Sequence, residues 1–195
     1  ELCRQCARHG ARGLVLLERD ELALITIQAD LRRSFPSLEV QAVLGDCGDP
    51  AVTAHALRLG QPEAVFHAAA YKQVPLLEAQ VREAVRNNVL ATDTVARLCR
   101  EQGVGTFVFI STDKAVDPAN VMGASKRLAE SLLEMTSSKA TRVSAVRFGN
   151  VLGSAGSVIP IFRDQSAKGS PVTVTDPEVN RFFMTIPEAV QLVLQ

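Results

Sequence analysis

Residues 106–126 read TFVFISTDKAVDPANVMGASK. The opening run, 106–110, is apolar without interruption, as a strand covered on both faces must be. The chain then turns polar through Ser111, Thr112, Asp113 and Lys114, passes Pro118, and resumes at Val121 with helical spacing. Leu128, Leu132, Leu133 and Met135 lie near one stripe of that helix. A buried strand, a polar loop at its carboxyl end and an amphipathic helix are one unit of a parallel sheet wrapped by helices.

The same alternation extends outward. Strands are predicted at 14–17, 40–43, 64–67, 107–110 and 143–147, and helices at 20–34, 50–59, 81–102 and 121–137. The expected class is α/β with a doubly wound parallel sheet. After Asn150 the pattern loosens through Gly153 to Gly156. It continues with a helix expected at 158–168, a strand at 172–175 and a last helix opened by Pro187. This divides the chain into a nucleotide-binding unit, 1–150, and the start of a smaller substrate-capping region, 151–195. Glu1 opens inside a helix and Gln195 closes one without a stop signal, so a fragment is expected.

Lys plus Arg and Asp plus Glu balance at 21 each, leaving no net positive field to gather nucleic acid or an anionic membrane. Runs such as 64–70 and 106–110 fall far short of the roughly 20 apolar residues of a membrane span, and the N-terminus lacks the basic start and apolar middle of a signal peptide. No membrane contact is expected from this segment. Cys3, Cys6, Cys47 and Cys99 sit among apolar or helical neighbours and read as reduced thiols. Cys3 and Cys6 stand at helical spacing with no second pair, so no metal site is expected.

Ligands of open parallel sheets bind beyond the carboxyl ends of the strands, and the residues there are rich in chemistry. Glu18, Arg19 and Asp20 follow the 14–17 strand. Glu18 suits the ribose diol of NAD, whereas Arg19 suits the 2′-phosphate of NADP. Asp46 can reach an adenine amino group, and Ala68, Ala69 and Ala70 let the backbone approach a flat dinucleotide. Thr112, Asp113 and Lys114, with Lys126 on the next helix, place an acid and a base at a strand's carboxyl end, as general acid and base catalysis requires.

Several words together resemble one family: Phe66 to Lys72 (FHAAAYK), Asn87-Asn88-Val89, Ser111 to Ala115 (STDKA), Asn120 to Lys126 (NVMGASK), Arg147 to Gly153 (RFGNVLG), Ser157 to Pro160 (SVIP) and Arg181 to Thr185 (RFFMT). The chain is similar along its length to the CapD-like polysaccharide-biosynthesis proteins, extended short-chain dehydrogenases that act as UDP-N-acetylglucosamine 4,6-dehydratases. The resemblance implies a Rossmann-like fold whose first strand and Gly-rich pyrophosphate loop belong immediately before Glu1, so poor cofactor binding by this segment alone is expected. It implies NAD or NADP held with the help of Cys47, Lys72, Asn88, Ser111, Lys126 and Phe148. It also implies a UDP-sugar contacted by Met122, Asn150, Ser157, Val158, Pro160, Thr173 and Arg181. Gln73 replaces the family's common His. Met122 stands where most short-chain dehydrogenases carry a catalytic Tyr, as in the long, membrane-anchored branch, which implies a homo-oligomeric parent on the cytoplasmic side of a membrane.

The implied reaction oxidises C4 of the sugar, expels water from C5 and C6, and returns hydride to C6. Asp113 is then the acid for the departing 6-hydroxyl and Lys114 the base at C5, with Asp113 protonated or turned away when Lys114 acts. Met122 cannot exchange a proton, which leaves Thr112 or a water to deprotonate the 4-hydroxyl. A 4-epimerase and a non-catalytic NAD(P)-binding regulator are the rival readings.

Overall fold

The computed structural model describes residues 1–136, 140–154, 158–174, 178 and 180–195. Strands β1 (Gly13–Glu18) and β2 (Glu39–Leu44) form one parallel ladder, and β3 (Ala64–His67), β4 (Thr106–Ile110) and β5 (Arg142–Val146) form another in that order. The expected sheet is therefore present in two pieces. In the 3-2-1-4-5-6 order of a doubly wound fold, β2 and β1 take the third and second places and β3, β4 and β5 the fourth to sixth. The first place falls between the pieces.

Helices α1 (Leu2–Arg8), α2 (Glu21–Ser34), α3 (Pro50–Gly60), α4 (Val74–Glu78) and α5 (Val81–Ala84) precede a π-helical turn, Val85–Leu90, which runs on into α6 (Ala91–Glu101). The helix expected at 81–102 is thus one rod with a wide turn in its middle. α7 (Val121–Thr136), α8 (Val158–Ala167) and α9 (Ile186–Leu194) complete the set.

Local chemistry sets the boundaries. Asp20 caps α2 by accepting from Ala23 N, and Asp49 caps α3 by accepting from Ala51 N and Val52 N, with Pro50 beside it. Thr185 and Glu188 form a reciprocal capping box on α9. β4 lies central in its ladder: Phe107 and Phe109 are fully buried against Leu57 of α3, Val95 and Cys99 of α6, and Ala129 and Leu133 of α7. A second core joins Leu16, Leu24, Leu31, Leu38 and Val40, with Cys3 and Ala7 of α1 packed on it. Cys3 is a half-buried packing residue whose thiol burial pushes upward. Gln5 ties α1 to the start of α9 through the Pro187 carbonyl.

The strand expected at 172–175 is corrected: residues 172–174 are irregular. Thr173 N donates to Gln165 Oε1 at 3.1 Å, so a side chain takes a backbone donor that a ladder would use, and the Thr173 hydroxyl accepts from Gln165 Nε2 at 2.9 Å. The short pairing in this region is β6 (Asn150–Val151) with β7 (Phe183–Met184) instead.

Candidate active site

The carboxyl ends of the strands open on two neighbouring cavities. One, of ≈210 Å³, is lined by Glu18, Arg19, Asp46, Cys47, Ala68, Ala69, Ala70 and Asn87. The other, of ≈460 Å³, is bounded by Lys72, Ser111, Thr112, Lys114, Met122, Lys126, Phe148 and Asn150. Ala68 and Ala70 line both, so the small side chains form a thin partition along one cleft.

In the smaller cavity the charges answer one another. Glu18 Oε1 accepts from the backbone amides of Arg19 and Asp20 at 2.8 and 3.0 Å. The Arg19 guanidinium lies 4.7 Å above the Tyr71 ring, with Nη1 3.4 Å from Asn87 Oδ1 and 3.8 Å from Asp46 Oδ2. Asp46 Oδ1 accepts from Gly48 N at 2.7 Å. Burial, helped by the Asp46 charge, pushes the Cys47 thiol upward and keeps it protonated.

The expected base, Lys114, lines the larger cavity, and the expected acid, Asp113, stands just outside its lining. Lys114 Nζ donates to Asp113 Oδ1 at 3.0 Å and to Asn150 Oδ1 at 3.1 Å, and the Thr112 hydroxyl donates to Asp113 Oδ1 at 3.0 Å. Burial pushes Asp113 upward, but the hydrogen bonds from Lys114 and Thr112 outweigh it and hold the carboxyl below its ordinary range. The pair therefore rests turned together, with Asp113 held as the carboxylate. Asp113 N and Ser111 N bond to the Phe148 and Val146 carbonyls, fixing the loop to β5 and its extension.

Lys126 is buried to 6% exposure; its Nζ donates to the Ile110 carbonyl at 2.7 Å and lies 4.3 Å from the Phe109 ring centre. Burial lowers its pKa to about 8, against an upward pull from Glu130 one turn along α7. Glu130 is itself buried and gripped by Arg147 through Nε at 2.9 Å and a second bond from Nη2. Glu130, Arg147 and neighbours line a third cavity, of ≈540 Å³, between α7 and β5 and away from Lys114. Sequence reading missed this pair, although Glu130 stands four residues after Lys126, a spacing that places both on one helix face.

The N-terminus of α7 is set by backbone contact. Glu78 Oε1 accepts from Val121 N at 2.7 Å, Asn120 Oδ1 accepts from Gly123 N at 2.8 Å, and a methyl on Gly123 would overlap the Lys114 carbonyl. Met122 borders the cavity yet packs with Leu77 and Ala84, so it is largely a core residue. Tyr71, the chain's one tyrosine, is absent from the cavity lining.

The remaining expected positions scatter. Asn88 is fully buried and lines neither cavity. Pro160 and Thr173 are exposed and outside the lining, and Arg181 Nη1 donates to the Asn180 carbonyl at the surface. Val158 opens α8, and Ser157 lies outside the described residues. Leu152, Ser154, Ile159 and Phe183, none singled out from sequence as ligand contacts, border the cavity instead.

Residues 1–195 match the family described as polysaccharide biosynthesis protein. The chain belongs to that family. Among curated proteins, the chain is similar to the capsular polysaccharide biosynthesis protein CapD of Staphylococcus aureus and the probable polysaccharide biosynthesis protein EpsC of Bacillus subtilis. Each is 46% identical over 198 residues, covering 100% of this chain. The chain spans 33% of the length of either relative. A UDP-glucose 4-epimerase of Rickettsia canadensis is 39% identical over 171 residues, 86% of this chain and 50% of the relative. Among solved structures, Pen from Bacillus thuringiensis superposes with a TM-score of 0.91 at 31% identity, covering 99% of this chain and 59% of that one. The dTDP-glucose 4,6-dehydratase DesIV of Streptomyces venezuelae, solved with NAD bound, shares the fold at TM-score 0.82 and 21% identity, covering 97% of this chain and 65% of that one. The fold is that of the Rossmann-like extended short-chain dehydrogenases. Among the described residues no helix is long and apolar enough to cross a membrane.

Proposed function

We propose that this chain supplies the NAD-binding and proton-transfer groups of a nucleotide-sugar 4,6-dehydratase acting on UDP-N-acetylglucosamine or a close relative. The observation that carries the reading is the Asp113–Lys114 pair: Lys114 lines the larger cavity beside Thr112 and Asn150, and Asp113, outside the lining, is bonded to Lys114 and Thr112. Oxidation and reduction alone need no such pair beside the hydride site; elimination of water needs an acid and a base.

The cleft fits a dinucleotide. The alanine partition gives a flat ring system access to the backbone, Glu18, Arg19 and Asp46 rim the smaller cavity, and Lys72, Lys114 and Lys126 place cationic groups along the larger one. The NAD bound in the DesIV structure supports the same choice. When bound, NAD accepts a hydride from the sugar and later returns it.

The residues divide the proton chemistry. Thr112, whose hydroxyl already donates to Asp113, passes the 4-hydroxyl proton to that carboxylate. Protonation removes the anion that holds the Lys114 ammonium in place, so Lys114 releases a proton to solvent, takes the C5 proton once C4 is a ketone, and regains a proton from solvent when the product leaves. Asp113 returns its proton to the departing 6-hydroxyl, and Lys114 returns its own to C5 as C6 is reduced. Lys126, fixed on the Ile110 carbonyl, lends positive charge to the oxidation step. The Asp113–Lys114 contact is the starting arrangement of this sequence.

The similarity to a UDP-glucose 4-epimerase favours one second reading, C4 epimerisation. Incubating the full-length protein with UDP-N-acetylglucosamine and NAD separates the two: loss of one water by mass supports the dehydratase, unchanged mass with inverted C4 supports the epimerase, and no reaction overturns both.

A further inference from the structure

Glu130 and Arg147 line neither cavity of the cleft, yet they sit at the junction that fixes Lys126. The ends of β4 and β5 are tied there by main chain, with Ser111 N on the Val146 carbonyl at 2.8 Å and Asp113 N on the Phe148 carbonyl at 3.1 Å. From α7, Lys126 Nζ reaches the end of β4 at the Ile110 carbonyl. One turn later Glu130 reaches the end of β5, where Arg147 grips both carboxylate oxygens through its planar fork. Arg127 adds a further donor to Glu130 Oε2 at 3.4 Å.

A carboxylate four residues from an ammonium on one helix lies within reach of it. Here the ammonium goes elsewhere. Lys126 Nζ bonds to a carbonyl and lies over the Phe109 ring, while the carboxylate is filled by two arginines. Among the described residues Lys126 and Glu130 form no salt bridge, although both are buried.

The other charged groups near Lys126 are spent or neutral. Asp113 and Lys114, from the turn after β4, are bonded to each other, and Glu78 of α4 is committed to Val121 N. Lys72 lines the same cavity as a further cation. His67 of β3, stacked with Phe107 and Phe109, is kept neutral by burial and by Lys126 itself, its pKa lowered to about 3. Glu83 pairs with Arg86 on α5 and the π-helical turn, and Arg97 with Glu101 on α6. Glu130 is the charge that pulls on Lys126.

We infer that Glu130 and Arg147 are a positioning pair that acts through Lys126: Arg147 occupies the carboxylate, braces α7 on the end of β5, and so leaves the Lys126 cation directed into the cleft instead of paired along its own helix. This rests on the NAD-dependent reading of that cleft, and neither residue touches cofactor or sugar. Removing either partner should therefore act on Lys126 with opposite sign. Loss of Arg147 returns the carboxylate to the lysine, which then keeps its proton to higher pH; loss of the Glu130 charge takes away the one anion that helps the lysine hold it.

Trace acetylation of the full-length protein across a pH series, read by mass at the peptide bearing Lys126, measures where that lysine loses its proton and needs no substrate. Lys126 lines the cavity, so a small acylating reagent reaches it. The midpoint should fall by about one pH unit in Glu130→Gln and rise by about one in Arg147→Met, the low end of the effect of a neighbouring charge. Arg147→Gln, which keeps a donor for Glu130 and loses the charge, should raise it too and carries the test should Arg147→Met fail to fold. Midpoints that move in one direction, or stay where they are, overturn the inference whatever the protein catalyses.

Single-turnover reduction of NAD by UDP-N-acetylglucosamine supplies the functional arm. At neutral pH Arg147→Met should be slower by about 10-fold, short of the 10²–10³-fold that follows outright removal of a transition-state donor. Combining it with Glu130→Gln should restore the rate to within about 3-fold of the unsubstituted protein, because no carboxylate remains to draw the lysine away. A merely structural brace stays broken in that double variant, so a double variant as slow as Arg147→Met sinks the proposal. If the unsubstituted protein reduces no NAD while the acetylation midpoints move apart as stated, the dehydratase reading falls and the assignment of Glu130 and Arg147 to Lys126 stands.

Discussion

The two halves of the cleft handle charge in opposite ways. Around the smaller cavity the Arg19 and Asp46 side chains are 44% and 42% exposed and meet across 3.8 Å. Behind the larger, Lys126 and its α7 neighbour Glu130, which lines a separate cavity, are 6% and 3% exposed, each fixed by a bond of 2.9 Å or less, while the Lys114 and Asp113 side chains are 30% and 36% exposed. Exposed charges are screened and exchange partners readily, whereas buried ones are costly unless permanently satisfied. The first half is suited to exchanging protein partners for ligand partners, and the second to holding Lys126 in place before the ligand arrives.

The largest break in that contrast should come from Lys114→Met. The rate of water loss should fall by about 10²–10⁴-fold, the usual scale of a lost acid or base, while single-turnover reduction of NAD by the sugar stays measurable. Dehydration that survives would remove Lys114 from the proposed role.

Lys126→Met probes the cost of burying a cation. The folded pKa near 8 lies below the ordinary value of 10.5, so the unfolded chain binds more protons between those limits. Relative to Lys126→Met, wild-type stability should therefore gain on the order of 3 kcal/mol as pH rises from about 8 to 10.5, the cysteines with raised pKa values being common to both. Exchange protection of the β4 amides, read across the interval, checks it; parallel curves would mean that Lys126 is not desolvated.

Arg147→Met leaves Glu130 buried without its main partner. A fully buried broken pair costs 3–5 kcal/mol; with the Arg147 side chain 37% exposed, about 2 kcal/mol is expected. Urea unfolding measures it, and the loss should shrink at low pH as Glu130 is protonated, because the hydrogen bonds from Arg147 outweigh burial and hold that carboxyl below its ordinary range while paired. The smallest effect belongs to the exposed half: Arg19→Ala should weaken NAD binding by about 2–5-fold, the scale of a surface cation–π contact. A loss as large as that at Lys114 would erase the contrast.

Much of this was legible in the sequence. The 106–126 stretch shows its strand, loop and helix because apolar continuity and 3.6-residue spacing are local signals, and Asp20, Asp49 and Thr185 are caps that need no tertiary context. The gathering of Asp113, Lys114, Lys126 and Asn150 followed from strand ends and from the family words. The scaffold around them did not. Asn87 and Asn88 are identical in letter, and only the π turn decides that Asn87 lines the smaller cavity while Asn88 is sealed inside. Residues 172–174 have strand-like composition, but Gln165 outcompetes a ladder for Thr173. Arg181 has the chemistry of a diphosphate clamp, while its placement depends on distant packing that composition cannot report.

The glycine at 123 has a consequence for tuning the site. Because the first turn of α7 rests directly on the Lys114 carbonyl, the separation between the two working lysines is gauged by main chain on main chain, with no compressible side chain between. Residues around the cavity can be exchanged to suit a different sugar without resetting that gauge. A single methyl at 123 would act as a shim, widening it for every substrate at once.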